Sequence, residues 1–213
     1  MSIQQPSVSK LIVSNLSTSR GGKMIFDKLS FSLAPGEILL VKGENGSGKS
    51  TLLSNLANIL PPTSGKICLK TRKTQKVRYI GHKLAIKTTL TVRQNLSFWC
   101  KLYNANNKFF EKSVKDFSLS HFLDFQINKL SAGLIKRVSL ARLLIGESLL
   151  WILDEPYINM DKKNIELLNK IIKINLNKGI MVVIASHQPI QIDSHKSLDL
   201  AFSPPYLSNS QED

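Results

Sequence analysis

Nine consecutive residues of this sequence have the types and the spacing needed to bind the phosphates of a nucleotide. Residues 43–51 read GENGSGKST and fit the pattern G-x-x-x-x-G-K-[ST]. Glycines let the backbone turn its N–H groups toward phosphate oxygens, Lys49 supplies a charge for the β- and γ-phosphates, and the Ser50 hydroxyl can bind Mg²⁺. The predicted phosphate loop consists of Gly43, Glu44, Asn45, Gly46, Ser47, Gly48, Lys49, Ser50 and Thr51.

The flanking sequence favours this interpretation over a chance match. A glycine-rich turn would satisfy the pattern by accident in under about 1% of chains of this length. The apolar run 38–41 precedes the loop and predicts a buried strand, and the spacing of Leu52, Leu53 and Leu56 predicts a helix after it. A strand, a glycine loop and a helix in this order place the phosphates at the positive end of the helix.

A second pattern places two carboxylates at the end of a predicted strand. Residues 149–153 are apolar, and Asp154 and Glu155 follow them directly. Ligands bind at the carboxyl edge of parallel sheets, so Asp154 can hold the Mg²⁺ shell and Glu155 can polarise the attacking water as general base. Asp-Glu-Pro by itself is more often a turn after a strand. Its position about a hundred residues after the phosphate loop favours the catalytic interpretation.

A third segment, residues 131–133, predicts the start of a helix. Ser131 is a typical N-cap, and a helix start with free N–H groups and a positive dipole end is also an anion site. On its own this segment is an ordinary capped helix. The segment is a more specific signal for an anion site because residues 136–142, KRVSLAR, follow it and lead toward the strand that carries the two carboxylates.

The hydrophobic pattern around these segments predicts an α/β fold with a helical region. Further strands are predicted at residues 11–13, 31–33, 66–70, 77–80, 180–185 and 198–202, and further helices at 132–145 and 164–175. Between 91 and about 125 the pattern is helical. Its aromatic residues, among them Trp99 and Phe117, are most simply the core of a small subdomain, and a ligand-stacking role is the weaker alternative.

Composition limits the class of protein. The chain has 213 residues, of which 42% are hydrophobic and 21% charged, and this suits one domain with a proper core. No apolar run approaches the roughly 18 residues of a membrane span, and the polar N-terminus resembles neither a secretory signal nor a transit peptide. Cys68 and Cys100 have no metal-ligand spacing, so we expect thiols in a reducing compartment. The net charge of +14 attracts anions, although a solvated basic surface explains it equally well.

Taken in order, these motifs resemble those of the ATP-binding subunits of ABC transporters. The set comprises the phosphate loop, Leu-Ser-x-Gly at 130–133, an apolar strand ending in residues 154–156, and residues 159–161 and 186–188. The resemblance covers residues 10 to about 202 and implies ATP as the nucleotide. It implies a RecA-like P-loop NTPase fold, with a mixed but mainly parallel sheet, an antiparallel β edge and a helical ABC subdomain.

The resemblance also divides the chain. We expect one ABC ATPase domain over residues 1–213. Its nucleotide-binding core would be residues 10–82 and 139–203, its helical subdomain with the signature segment residues 83–138, and its polar tail residues 204–213.

Members of this family work as head-to-tail homodimers, and the resemblance assigns roles accordingly. It implies that Ser131 and Gly133 of one copy close on the γ-phosphate held by Lys49 of the other. It implies that His187 contacts the γ-phosphate and Glu155. By the same resemblance, Asp161 would lie in the loop that crosses the dimer.

Three features depart from the family pattern. His82 stands where most of these ATPases have a Mg²⁺-contacting glutamine, so it joins Ser50 and Asp154 as a candidate metal ligand. Leu134 replaces the usual glutamine of the signature, and this suggests, as one alternative, a regulatory module that binds nucleotide without turnover. The region before residue 26 has no clear aromatic to stack on adenine, which leaves Arg20 as the candidate. We expect hydrolysis because the main catalytic positions are intact: Lys49, Asp154, Glu155 and His187.

Four segments narrow the resemblance to the CcmA family, the ATP-binding subunits of the haem exporter in cytochrome c maturation. They are residues 79–82 (YIGH), 86–91 (IKTTLT), 150–156 (LWILDEP) and 186–188 (SHQ). In that family His is the usual residue at position 82. The resemblance implies a peripheral protein on the cytoplasmic face of the inner membrane, or on the matrix face if an organelle encodes it.

The same resemblance implies integral-membrane permease partners, with ATP hydrolysis driving haem export or release of a haem chaperone. We expect no direct contact with haem and no nucleic-acid partner. The groove beside His82, bounded by residues 83–99, is where the membrane partner would dock, and an exposed Phe98 or Trp99 would be an interface residue. Two alternatives remain open: the ATPase of another small exporter or importer, and a soluble ABC-type ATPase that acts on nucleic acid or ribosomes.

Overall fold

The computed structural model describes residues 10–70, 77–187, 190, 192 and 195–200. Its strands are β1 Lys10–Arg20, β2 Lys23–Leu33, β3 Ile38–Lys42, β4 Ser64–Lys70, β5 Val77–Ile80, β6 Leu150–Asp154, β7 Met181–Ala185 and β8 Lys196–Asp199. Its helices are α1 Lys49–Leu56, α2 Val92–Leu102, α3 Asn107–Asp116, α4 Ala132–Ala141 and α5 Lys162–Leu176. Short 3₁₀ turns lie at residues 120–122, 127–129 and 142–144.

A parallel sheet in the order β5-β6-β7-β3-β8 forms the centre of the molecule. Its middle strands are buried on both faces, which explains their continuous apolar sequences. Along β3, Ile38 and Leu40 enter a core shared with α2, α4 and α5, whereas Leu39 and Val41 enter a second core shared with α1 and β1. Strands β3, β6 and β7 therefore end side by side, and the segments that follow them carry the phosphate loop, Glu155 and His187.

The antiparallel strands form a sheet of their own, in the order β2-β1-β4. The α/β class predicted from sequence is confirmed, but the hairpin is much longer than the short strands expected at 11–13 and 31–33. Strands β1 and β2 pair as far as Arg20 opposite Lys23, with breaks in register after Val13, Leu16 and Thr18. These irregularities interrupt the alternation of apolar and polar residues on which strand prediction depends.

The helical region predicted at 91–125 consists of α2, α3 and a 3₁₀ turn. Helix α2 begins with a capping box, in which the Thr91 hydroxyl accepts from the Gln94 N–H and the Gln94 side chain accepts from the Thr91 N–H. Phe117 is fully buried and Trp99 packs against the same core, as expected for a subdomain core. Phe98, by contrast, is 56% exposed.

The remaining elements agree with the sequence predictions to within a few residues. The helix predicted at 132–145 is α4 followed by the 3₁₀ turn at 142–144, and the last strand begins two residues earlier than expected. Residues 201–202 of that predicted strand and the tail at 204–213 lie outside the described residues. The domain boundaries remain a prediction. Among the described helices, none is both long and apolar enough to span a bilayer.

Candidate nucleotide-binding and hydrolysis site

The phosphate loop turns between β3 and α1 through backbone conformations that suit glycine. Gly43, Gly46 and Gly48 have φ angles of 145°, 86° and 97°, values that residues with a side chain rarely adopt. A Cβ atom on Gly48 would also lie 2.3 Å from Cγ2 of Ile25 on the hairpin. The glycine pattern of the loop is therefore required by its backbone and by the close approach of β2.

Lys49, the first residue of α1, lies folded across this loop. Its Nζ donates to the carbonyl oxygens of Gly43 and Glu44 at 2.8 and 2.9 Å, and the residue is only 7% exposed. Helix α1 starts after Gly48 without a side-chain cap, so its N-terminus presents N–H groups and a positive dipole end at the loop. The ammonium group and the helix end together suit a phosphate anion.

Asp154 ends β6 as a buried carboxylate beside the Ser50 side chain. Burial raises its pKa, whereas the Ser50 hydrogen bond and the nearby His82 and Lys49 act in the opposite direction. A hydroxyl beside a carboxylate is a donor pair that Mg²⁺ accepts. The described residues hold no cluster of three or more His, Cys, Asp or Glu suited to a metal.

Glu155, immediately after β6, is fixed through both its backbone and its side chain. Its N–H donates to the Ala185 carbonyl at 2.9 Å, and its Oε2 lies 3.0 Å from Nδ1 of His187. Its side chain is 15% exposed and that of His187 is 48% exposed. The loops after β6 and β7 thus bring together the two residues that sequence resemblance paired, with the carboxylate sheltered and the imidazole open to a ligand.

Residues 45, 46 and 48–51 of the phosphate loop share one cleft of about 340 Å³ with Asp154 and Glu155, whereas Gly43, Glu44 and His187 line a second cavity. Arg20, at the end of β1, lines the first cleft as well, and its place at the nucleotide base stays a prediction. Ile25 of β2 is a lining residue that sequence reasoning missed, because its position depends on the full length of the hairpin. None of the described lining residues is aromatic. The lining consists of Arg20, Ile25, Asn45, Gly46, Gly48, Lys49, Ser50, Thr51, Asp154 and Glu155.

His82 lies just beyond β5, exposed and outside the described lining of the cleft. Its role as a Mg²⁺ ligand remains a prediction. Side chains of α4 and of the 3₁₀ turn after it hold the backbone on either side of His82. Arg142 donates to the carbonyl oxygens of Tyr79 and Leu84, each at 3.0 Å, and the Ser139 hydroxyl donates to the Leu84 carbonyl at 3.0 Å.

The signature segment lies at the exposed start of α4. Ser131 caps the helix by accepting from the Leu134 N–H at 3.4 Å, which confirms the predicted N-cap. Gly133 lies beside α5, where a Cβ atom would be 3.4 Å from Nδ2 of Asn164. Neither Ser131 nor Gly133 is among the described residues that line the cleft of the same chain.

Comparison with known proteins gives one family. Residues 26–158 match the family model described as ABC transporter. A protein of Rickettsia typhi named cytochrome c biogenesis ATP-binding export protein CcmA is 37% identical over 198 residues, which cover 91% of this chain and 100% of the relative. A protein of Cereibacter sphaeroides with the same name is 35% identical over 191 residues, covering 90% and 89%.

Solved structures give the same result for the fold. A putative ABC transporter ATP-binding protein from Pyrococcus furiosus superposes with a TM-score of 0.79 at 25% identity, over 90% of this chain and 98% of the other. A putative metal-chelate type ABC transporter in an inward-facing conformation gives a TM-score of 0.77 at 26% identity, over 91% and 80%.

Proposed function

The chain belongs to the ABC transporter family and, within it, to the CcmA proteins, and from this we propose that it is the ATP-driven subunit of a membrane complex for cytochrome c biogenesis. Its activity is the hydrolysis of ATP. The observation that carries the proposal is the single cleft in which a phosphate loop, a buried Asp154 and a sheltered Glu155 meet. This is the set of groups that phosphoryl transfer to water requires.

In the proposed reaction, Lys49 leaves the carbonyl oxygens of its own loop and binds β- and γ-phosphate oxygens, together with the N–H groups that begin α1. Ser50 and Asp154 would hold Mg²⁺, which would neutralise charge on the phosphates when bound. Glu155 accepts a proton from the attacking water. His187 orients the Glu155 carboxylate across their 3.0 Å contact and offers its exposed edge to the γ-phosphate.

The proposed active form is a head-to-tail homodimer. Its support is the separation within one chain between the cleft and the capped start of α4, which is exposed at Ser131. A second copy can supply that helix start to the open side of the cleft, where its N–H groups and dipole would bind the γ-phosphate. Loss of the γ-phosphate after hydrolysis removes the shared contact, and the two copies part.

The proposed membrane partner is a permease that docks beside α2. Phe98 and Leu102, one turn apart on α2, are 56% and 53% exposed, and exposed apolar side chains of this size suit a protein interface. The chain would then lie on the cytoplasmic or matrix face of the membrane. Haem would remain with the membrane subunits, and hydrolysis would act on it through the movement of α2.

The test uses the chain purified with its permease partner in lipid. We expect Glu155→Gln to lower MgATP hydrolysis by at least about 100-fold and to trap an ATP-bound dimer, because the base is lost while phosphate binding is kept. Glu166→Gln, which changes an exposed carboxylate on α5, is the matched control. Absorbance of the purified complex reports haem.

Two results would contradict parts of this proposal. Unchanged hydrolysis in Glu155→Gln would exclude Glu155 as the base. The cytochrome c assignment would be excluded if the complex hydrolysed ATP but never carried haem, and if cells that lack the chain still matured cytochrome c. That result would favour another small exporter or importer.

A further inference from the structure

Lys136 on α4 is a buried lysine to which the reaction above assigns no role. The residue is 7% exposed, and its Nζ donates to the backbone carbonyl of Glu155 at 3.3 Å. Burial lowers its pKa, while the carboxylates of Asp154 and Glu155 act in the opposite direction. An apolar residue of similar length would avoid the cost of burying an ammonium group. Its placement therefore points to a function at Glu155.

The backbone at Glu155 is unusual and needs support. Its φ angle is 47°, in the left-handed region that a residue with a side chain rarely adopts. Its N–H is held by the Ala185 carbonyl, and its carbonyl oxygen faces Lys136 at 3.3 Å and the Ile158 N–H at 3.5 Å. This turn directs the Glu155 side chain to His187. Of the two donors to the carbonyl, only the ammonium carries a full charge.

We propose that Lys136 is a positioning residue for the carboxylate that activates water. Its ammonium group holds the carbonyl of Glu155 and thereby the left-handed turn that aims the side chain. Because Ser131 caps α4, the same helix would join the segment proposed to meet the partner's nucleotide to the base that acts on the chain's own nucleotide. The inference rests on the proposed role of Glu155 and goes beyond it by assigning what holds that residue.

The test compares two variants at this position with a control elsewhere. Lys136→Met keeps the length and the apolar stem but removes the donor, whereas Lys136→Arg keeps a charged donor. Lys170→Met removes an exposed lysine from α5 and is the matched control. Each is assayed with the membrane partner for kcat and KM for MgATP, for thermal unfolding, and for the ATP-trapped dimer in the Glu155→Gln background.

A positioning role predicts that kcat in Lys136→Met falls about tenfold while KM changes by less than about twofold, because a misplaced base slows the chemical step and leaves nucleotide binding intact. Lys136→Arg should recover at least about half of kcat, and Lys170→Met should match the wild type. The ATP-trapped dimer should form in the Glu155→Gln background with or without Lys136→Met.

Wild-type kcat in Lys136→Met would overturn the inference. So would a fall in kcat that accompanies a lower unfolding temperature, a lost ATP-trapped dimer and no recovery by arginine, since that pattern marks a residue needed only for folding. Neither result touches the proposed function, which would fail instead if the wild-type complex did not hydrolyse ATP.

Discussion

Among single residues, Arg20 can be tested apart from the phosphate loop by mutation, because it lies at the end of β1 and is not part of that loop. It lines the cleft with Ile25, and no described lining residue offers an aromatic ring to the adenine. A guanidinium plane can stack on a base in place of a ring. Arg20 would then contribute to binding of the nucleotide and not to the chemical step.

We therefore expect Arg20→Ala to raise KM for MgATP by roughly fivefold, equivalent to about 1 kcal/mol of lost stacking, with kcat unchanged. Arg20→Tyr, which restores a flat surface, should return KM to near the wild-type value. Steady-state hydrolysis at varied MgATP measures both constants. Equal KM values in all three proteins would show that the base binds elsewhere.

Some residues of the candidate site could be predicted from the sequence, and others could not. The phosphate loop is contiguous in sequence, so its chemistry is legible from residues 43–51 alone. Asp154 and Glu155 could be placed because a buried strand aims its end at the ligand edge of the sheet. The contact between Lys136 and Glu155 joins positions 19 residues apart through the packing of α4 against β6, and no spacing rule in the sequence encodes that packing.

At the scale of elements, Arg142 ties the helical region to the parallel sheet. Its guanidinium donates to the carbonyl oxygens of Tyr79 at the end of β5 and Leu84 in the loop beyond, and its Cζ lies 4.6 Å from the centre of the Trp99 ring on α2. Burial lowers its pKa to about 10, so it stays charged at neutral pH. Arg142 thus holds the backbone on both sides of His82 and packs against α2, the helix beside which the permease is proposed to dock.

We expect Arg142→Met to lower the free energy of unfolding by about 3 kcal/mol, because it leaves two carbonyl groups without their charged donor. Urea unfolding followed by circular dichroism measures the loss. Arg93→Met is the control, since Arg93 pairs with Asp124 on the surface and its removal should barely move the midpoint. Equal midpoints for the two variants would contradict the bracing role of Arg142.

The burial of each strand explains why some predicted strand bounds were correct and others were wrong. Strands β3, β6 and β7 are buried on both faces, so their uninterrupted apolar runs marked them correctly. The hairpin of β1 and β2 is exposed along part of its length, and residues such as Asn15 and Lys28 adopt positive φ where the register shifts. Alternation fails there, so the pattern predicted two short strands in place of one long hairpin. Arg20 and Ile25, which line the cleft, lie in the part of the hairpin that the pattern did not predict.

For the whole molecule, the arrangement of the site bears on how two copies of the chain would assemble. Lys49 lies inside the cleft and Ser131 lies outside its described lining, yet hydrolysis in the proposed dimer needs both at one γ-phosphate. Two copies related by a two-fold axis can satisfy this requirement twice, since each gives a cradle to one site and a helix start to the other. Lesions in the two segments should therefore complement each other between copies.

Lys49→Ala and Ser131→Arg should each abolish hydrolysis in a pure homodimer, because every site then lacks one half. When the two variants are mixed in equal amounts and assembled with the membrane partner, random pairing makes half of the dimers mixed. Each mixed dimer carries one intact site, so the mixture should recover about a quarter of wild-type hydrolysis if a single site works alone. Adding the Lys49→Ala/Ser131→Arg double variant to the wild type should only lower activity, since neither site of that mixed dimer is complete. A mixture as silent as its two components would contradict a shared site in which one complete half works alone.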